Sequence, residues 1–189
     1  MYRPKDYNSM TCILGGCIMT RRNRPIRQEQ VVPYAANIRA LMREELQAIN
    51  QYQRHIEESD IPELNEIWQY IMENEKGHYG MLLELLRRVD LEQAAQYENI
   101  KDTGIIIPSK IQMSPPIVKK SKLEILNNIR NDIRLELEAV NEYEAFIIKA
   151  PISPILQIIT TINQDEKEHI EQLTKALLQL DTDKYGPLR

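Results

Sequence analysis

The sequence predicts an all-α protein: an antiparallel four-helix bundle with a long crossover between helices two and three. Three observations lead there. Aromatic residues make up only 6% of the 189-residue chain, and there are 6 glycines, too few for the packed strands and tight turns of an all-β domain. Apolar residues recur at spacings of three and four over four long stretches. Those stretches form two pairs, each joined by a short proline-containing break, and a Pro- and Gly-bearing segment of about 30 residues separates the pairs, a connection more typical of a crossover than of a hairpin.

Each element has its own signal. Residues 1–30 read as an extension, because Pro4, Gly15, Gly16 and Pro25 break any long helix. The first helix runs from about Pro33 to Glu58, with Ile38, Leu41, Met42, Leu46, Ile49 and Ile56 in phase. Asp60 is the expected N-cap of the second, with Pro62 in its first turn. That helix carries Leu64, Ile67, Trp68, Ile71, Met72, Leu82 and Leu86 to about Val89. A short helix is expected at Leu91 to Tyr97 within the otherwise irregular residues 90–120. Ser121 and Glu124 form a capping box that opens the third long helix, to about Lys149. Ser153 and Pro154 open the fourth, which ends near Leu180. Residues 31–189 thus read as one bundle domain.

Composition narrows the function classes. The net charge is −4, and the basic side chains gather in residues 1–30, six against two acids, leaving an acidic body. Such a body is a poor binder of nucleic acid. Apolar runs stay far below the roughly 18 to 20 residues that span a bilayer. Cys12 and Cys17 are too few for a disulfide scaffold and form no CxxC pair. Without a signal-peptide pattern at the start, the chain reads as cytoplasmic. The cluster Arg21, Arg22 and Arg24 reads as a solvated tail, and Lys184 to Arg189 as an ordinary polar end, with docking into a protein shell as its alternative.

The informative feature is an internal repeat. Glu45 to Tyr52 (ELQAINQY) recurs 91 residues later as Glu136 to Tyr143 (ELEAVNEY). Residues 74–78 (NEKGH) recur at the same offset as 165–169 (DEKEH). The repeat, spanning about 33–89 and 121–180, preserves Glu45/Glu136, Glu75/Glu166 and His78/His169. These residues share helix faces with apolar neighbours three or four positions away, so they point inward. Four buried carboxylates are untenable without compensation. Two divalent cations supply the matching charge, and a Glu on each of two helices plus a Glu-x-x-His on each of the others is the ligand set of di-iron and di-manganese carboxylate bundles. Mixed oxygen and nitrogen donors suit iron and manganese and do not exclude zinc.

These motifs resemble the ferritin-like superfamily, in particular bacterioferritin and the rubrerythrin di-iron domain, over roughly residues 33–180. The resemblance implies two iron ions held by Glu45, Glu75, His78, Glu136, Glu166 and His169, with Glu75 and Glu166 bridging. It also implies that Tyr52 and Tyr143 lie beside the site as candidate catalytic residues, and that Asn74 and Asp165 steady the imidazole of the opposite half. No haem is expected, because Lys76 stands where bacterioferritin has its haem methionine. Rubrerythrin's extra glutamate is Ala139 here, and its rubredoxin cysteines are missing, so an external electron donor is implied. The expected activity is a non-haem di-iron oxidoreductase, of ferroxidase or peroxidase type, acting with O2 or H2O2 and bearing on oxidative stress, in at least a dimer. The alternatives are a di-manganese catalase-like enzyme, an iron carrier, or an encapsulated cargo subunit. His55 reads as structural, and Asp132 as a solvated acid rather than one reaching the site.

Overall fold

The computed structural model describes residues 17–19, 25–27, 32–104, 118–149, 153–183 and 185–186. The remainder of the N-terminal extension with Cys12, the middle of the crossover, the break before the last helix and most of the tail lie outside the described residues. Five helices dominate: α1 (Val32–Glu58), α2 (Pro62–Val89), α3 (Leu91–Ile100), α4 (Lys122–Lys149) and α5 (Ser153–Leu180). The sequence pattern did not signal the antiparallel ribbon of β1 (Cys17–Met19) and β2 (Pro25–Arg27), which pairs Ile18 with Ile26. Among the described residues no helix is long and apolar enough to cross a membrane.

Local chemistry sets the helix ends. Ser121 and Glu124 bond reciprocally: the Ser121 N–H donates to Glu124 (2.8 Å) and the Glu124 N–H to Ser121 Oγ (3.4 Å). Asp90 caps α3 by accepting from the Gln93 N–H at 3.0 Å. Arg87 lies 3.7 Å over the ring of Tyr97, which ties that short helix back to α2. At the start of α2 the expected cap is corrected. Ile61 occupies the N-cap position without a side-chain bond, and Ser59 Oγ accepts from the Ile61 N–H (3.1 Å). Asp60 is exposed and faces Lys119 instead, 3.5 Å away. Pro62 still opens the helix, where its missing N–H costs nothing.

α1 and α2 form one hairpin and α4 and α5 a second, and the hairpins meet along α2 against α5 and α1 against α4. Their apolar residues gather in two clusters. One joins Ile38 and Leu41 near the start of α1 to Leu82 and Leu86, Tyr143 and Phe146, and Ile155 and Ile159. The other joins Tyr52, Trp68 and Ile71 to Ile125, Ile129 and Leu173. The start of α1 therefore meets the end of α4, and the end of α2 meets the start of α5, so facing helices run antiparallel. The middle of every long helix contributes buried charge instead: Glu45, Glu75, His78, Glu136, Glu166 and His169. A polar layer thus lies between two apolar ends. Ile159 is fully buried in the first of them. Ile159→Ala is expected to destabilise the protein by about 2–5 kcal/mol, read from urea unfolding followed by circular dichroism.

Candidate metal centre

All six residues singled out by the repeat converge on the polar layer, each of them buried. α1 and α4 each present one glutamate, Glu45 and Glu136. α2 and α5 each present a glutamate and a histidine three residues apart, on one face of the helix. Two overlapping groups of four result, and within each the candidate ligand atoms lie within 4.8 Å of one another: Glu45, Glu75, His78 and Glu166, and Glu75, Glu136, Glu166 and His169. Glu75 and Glu166 belong to both. Glu75 turns Oε2 toward His78 Nδ1 (3.0 Å) and Oε1 toward His169 Nδ1 (3.1 Å). Glu166 does likewise, Oε1 toward His78 Nδ1 (3.2 Å) and Oε2 toward His169 Nδ1 (3.4 Å). Glu45 lies 3.6 Å from His78 Nδ1, and Glu136 lies 3.5 Å from His169 Nδ1.

The residues around this layer orient it. Tyr143 donates its hydroxyl to Glu45, and Tyr52 donates to Glu136, so each hairpin clamps the terminal carboxylate of the other. On its outer side His78 places Nε2 3.2 Å from Asp165 Oδ2. His169 places Nε2 3.2 Å from the side-chain amide of Asn74, a group that serves as acceptor or donor when turned end for end. With Nε2 engaged outward, Nδ1 of both rings faces the carboxylates, the arrangement that fixes tautomer and orientation in metal-binding histidines. The rings are 5.8 Å apart.

The donor set fits a pair of cations on a direct observation. Glu75 Oε1, Glu166 Oε1 and His169 Nδ1 are buried without a well-directed hydrogen bond, although Glu75 Oε1 lies 3.1 Å from His169 Nδ1 and Glu166 Oε1 3.2 Å from His78 Nδ1. Orphaned acceptors of this kind are costly in a protein interior unless an ion completes them.

A cavity of about 280 Å³ between α1 and α4 reaches Glu45, Glu75, Glu136 and Glu166, with Glu44, Glu138 and Glu142 among its walls. Partial burial and the neighbouring Glu44 raise the pKa of Glu142.

Protonation balances the metal-free cluster. Burial, reinforced by Glu75, lifts Glu45 well above the usual carboxylate range, and burial does the same for Glu136. Burial also works against charge on Glu75 and Glu166, but contacts with Glu45 and both imidazoles at Glu75, and with both imidazoles and Glu136 at Glu166, outweigh it and hold their pKa values below normal. Burial disfavours imidazolium too, yet the facing carboxylates overcome it; His78 is strongly raised and His169 is pushed up to about 12. Burial and the adjacent carboxylates likewise keep Tyr52 and Tyr143 in the neutral, donating form. Without metal, protons are thus held more tightly on Glu45, Glu136 and the two imidazoles, and less tightly on Glu75 and Glu166. Cations bind the deprotonated groups, so protons compete, and the competition grows as pH falls. Uptake of Zn2+ is expected to release protons and to weaken steadily from pH 8 to pH 6, measured by calorimetry in buffers of differing ionisation enthalpy.

One expectation is overturned. Asp132 is not solvated but fully buried, 0% exposed. It accepts from Gln51 Nε2 (2.5 Å) and from Trp68 Nε1 (2.9 Å), and His55 Nδ1 lies 3.1 Å from it. His55 is buried and off the ligand layer, the structural place its phase predicts. Two sequence signals pointed to this cluster: Asp132 shares the inward face of Glu136 one turn away, and a core tryptophan needs an acceptor for its N–H.

Residues 24–101 match the EncFtn-like family model. EncC, an encapsulin nanocompartment cargo protein of Myxococcus xanthus (strain DK1622), is 41% identical over 75 residues, which are 40% of this chain and 58% of that protein. No solved structure gives a significant match. These matches name neither rubrerythrin nor bacterioferritin, the subtypes the motifs resemble. The matched segment spans α1, α2 and α3, and Glu45, Glu75 and His78 lie within it.

Proposed function

We propose that this chain is an iron-binding cargo subunit of an encapsulin-type shell, a ferritin-like four-helix bundle whose buried dimetal centre oxidises ferrous iron. One observation carries the metal reading: Glu75 and Glu166 each turn one oxygen toward His78 and the other toward His169. That arrangement is what two bridging carboxylates between paired ions require. The likeness to EncC supports the cargo role, and the EncFtn-like match over the first hairpin supports the ferritin-like reading.

Each residue has a definite task. Glu45 with His78 and Glu136 with His169 would hold one ion apiece, with Glu75 and Glu166 available to both. When bound, a pair of iron ions supplies one-electron redox chemistry toward O2 or peroxide. Tyr52 and Tyr143 hold the terminal carboxylates in place and stay protonated. Asp165 is placed to accept the hydrogen bond of His78 Nε2–H and so to leave Nδ1 as the nitrogen that faces the centre. The apolar clusters on either side exclude bulk water, which strengthens every charge interaction within. The acid-walled cavity between α1 and α4 offers a cation its way in.

The reading is tested by loading the metal-free chain with Fe2+ under anaerobic conditions and then admitting O2. Two iron ions per chain and the growth of ferric absorbance are expected; failure to bind iron, manganese or zinc sinks the proposal. Because Glu75 serves both halves, Glu75→Ala is expected to lose both ions, whereas Glu45→Ala loses one, as read from the metal-to-protein ratio. Removing the outer partner of His78 by Asp165→Ala is expected to weaken metal binding by about 10- to 100-fold. Co-production with an encapsulin shell protein tests the cargo role: the chain is expected to sediment with intact shells.

A further inference from the structure

The 91-residue repeat maps each half of the bundle onto the other, and at one end of the ligand layer three buried residues depart from it together. Asp132, His55 and Trp68 correspond to Leu41, Phe146 and Ile159. The second set packs together in the apolar cluster at one end of the ligand layer. The first set, at the other end, is a hydrogen-bonded polar knot joining α4, α1 and α2, with Gln51 as a further donor. The knot sits behind one half of the centre only. Asp132 is one turn from Glu136, and Tyr52, whose ring meets that of His55 edge-on at 6.4 Å, donates to Glu136. In the other half Leu41 stands one turn from Glu45.

We propose that the two half-sites are unequal, and that Asp132 and its partners make the Glu136/His169 half the tighter cation site. Asp165 beside His78, with only Asn74 beside His169, works for the other half, but Asp165 is 39% exposed and screened by water while Asp132 is fully buried. Two effects of Asp132 act in the same direction. Gln51 Nε2 and Trp68 Nε1 donate to the two oxygens of Asp132, and His55 Nδ1 lies 3.1 Å from one of them. A buried carboxylate one turn behind Glu136 attracts a cation there more than at Glu45, by on the order of tenfold in affinity. The bonds to Gln51, His55 and Trp68 also lock the turn of α4 that carries Glu136, so less ordering is left to the moment of binding. Asp132 is thus a positioning residue, acting through Glu136 and the local field rather than by ligation.

This inference rests on the dimetal reading, and the test separates the two. His78→Ala leaves the Glu136/His169 site, and His169→Ala leaves the Glu45/His78 site, so each is measured without repulsion from a second ion. Co2+ is titrated into each full-length variant, followed by visible absorbance and calorimetry. His78→Ala is expected to bind Co2+ about tenfold more tightly than His169→Ala. Adding Asp132→Asn should erase the advantage in the first background and leave the second unchanged. The triple change Asp132→Leu, His55→Phe, Trp68→Ile, which copies the apolar set packed at the opposite end, should do the same and keeps the test available if the Asn variant folds poorly. Equal affinities, a reversed order, or the same loss in both backgrounds would each overturn the inequality. Absence of Co2+ uptake in every variant and in the unaltered chain would overturn the dimetal reading as well.

Discussion

Everything in this bundle is arranged around the cost of placing like charges out of water. Four glutamates meet in a layer from which bulk solvent is excluded. Such a group persists only if positive charge is distributed among its oxygens. Without metal, imidazolium ions and shared protons provide that charge. With metal, two divalent ions carry four positive charges in their place. Either source of positive charge offsets the carboxylates, and so the bundle can hold its shape whether loaded or empty.

The rest of the architecture serves that layer. Apolar clusters at both ends keep the local dielectric low and fix the axial position of each helix, much as two bearings fix a shaft. Antiparallel pairing of α1 with α4 brings each tyrosine onto the glutamate of the opposite hairpin. The short connection between α1 and α2 sets the height at which Glu45 meets His78. Side chains outside the layer, Asp165 and Asn74, turn the imidazoles so that their inner nitrogens face the carboxylates.

The helices and the six central residues were legible in the sequence because both obey a period. Apolar spacing marked the four long helices, and repetition of Glu and Glu-x-x-His at one offset marked the chemistry. What escaped was aperiodic. Asp132 breaks the repeat, and an acid four residues from a candidate ligand looks like surface until a tryptophan and a histidine from other helices are seen to meet it. The cap of α2 was misplaced by one residue, because Ser59 satisfies an N–H across a turn and leaves Asp60 to solvent. The β1–β2 ribbon is too short for alternation to register.

The EncFtn-like segment ends before α4, yet α4 and α5 supply a matching second half on the same polypeptide. A centre assembled from two separate hairpins would come apart on dilution, whereas here covalent linkage keeps the complementary pieces at high effective concentration. Linkage also frees the halves from identity. In a pair of identical chains every substitution lands twice; in a tandem chain Leu41 can stay a leucine while its counterpart becomes an aspartate. One polypeptide can therefore acquire a polarity, a distinguishable left and right, that strict twofold symmetry forbids.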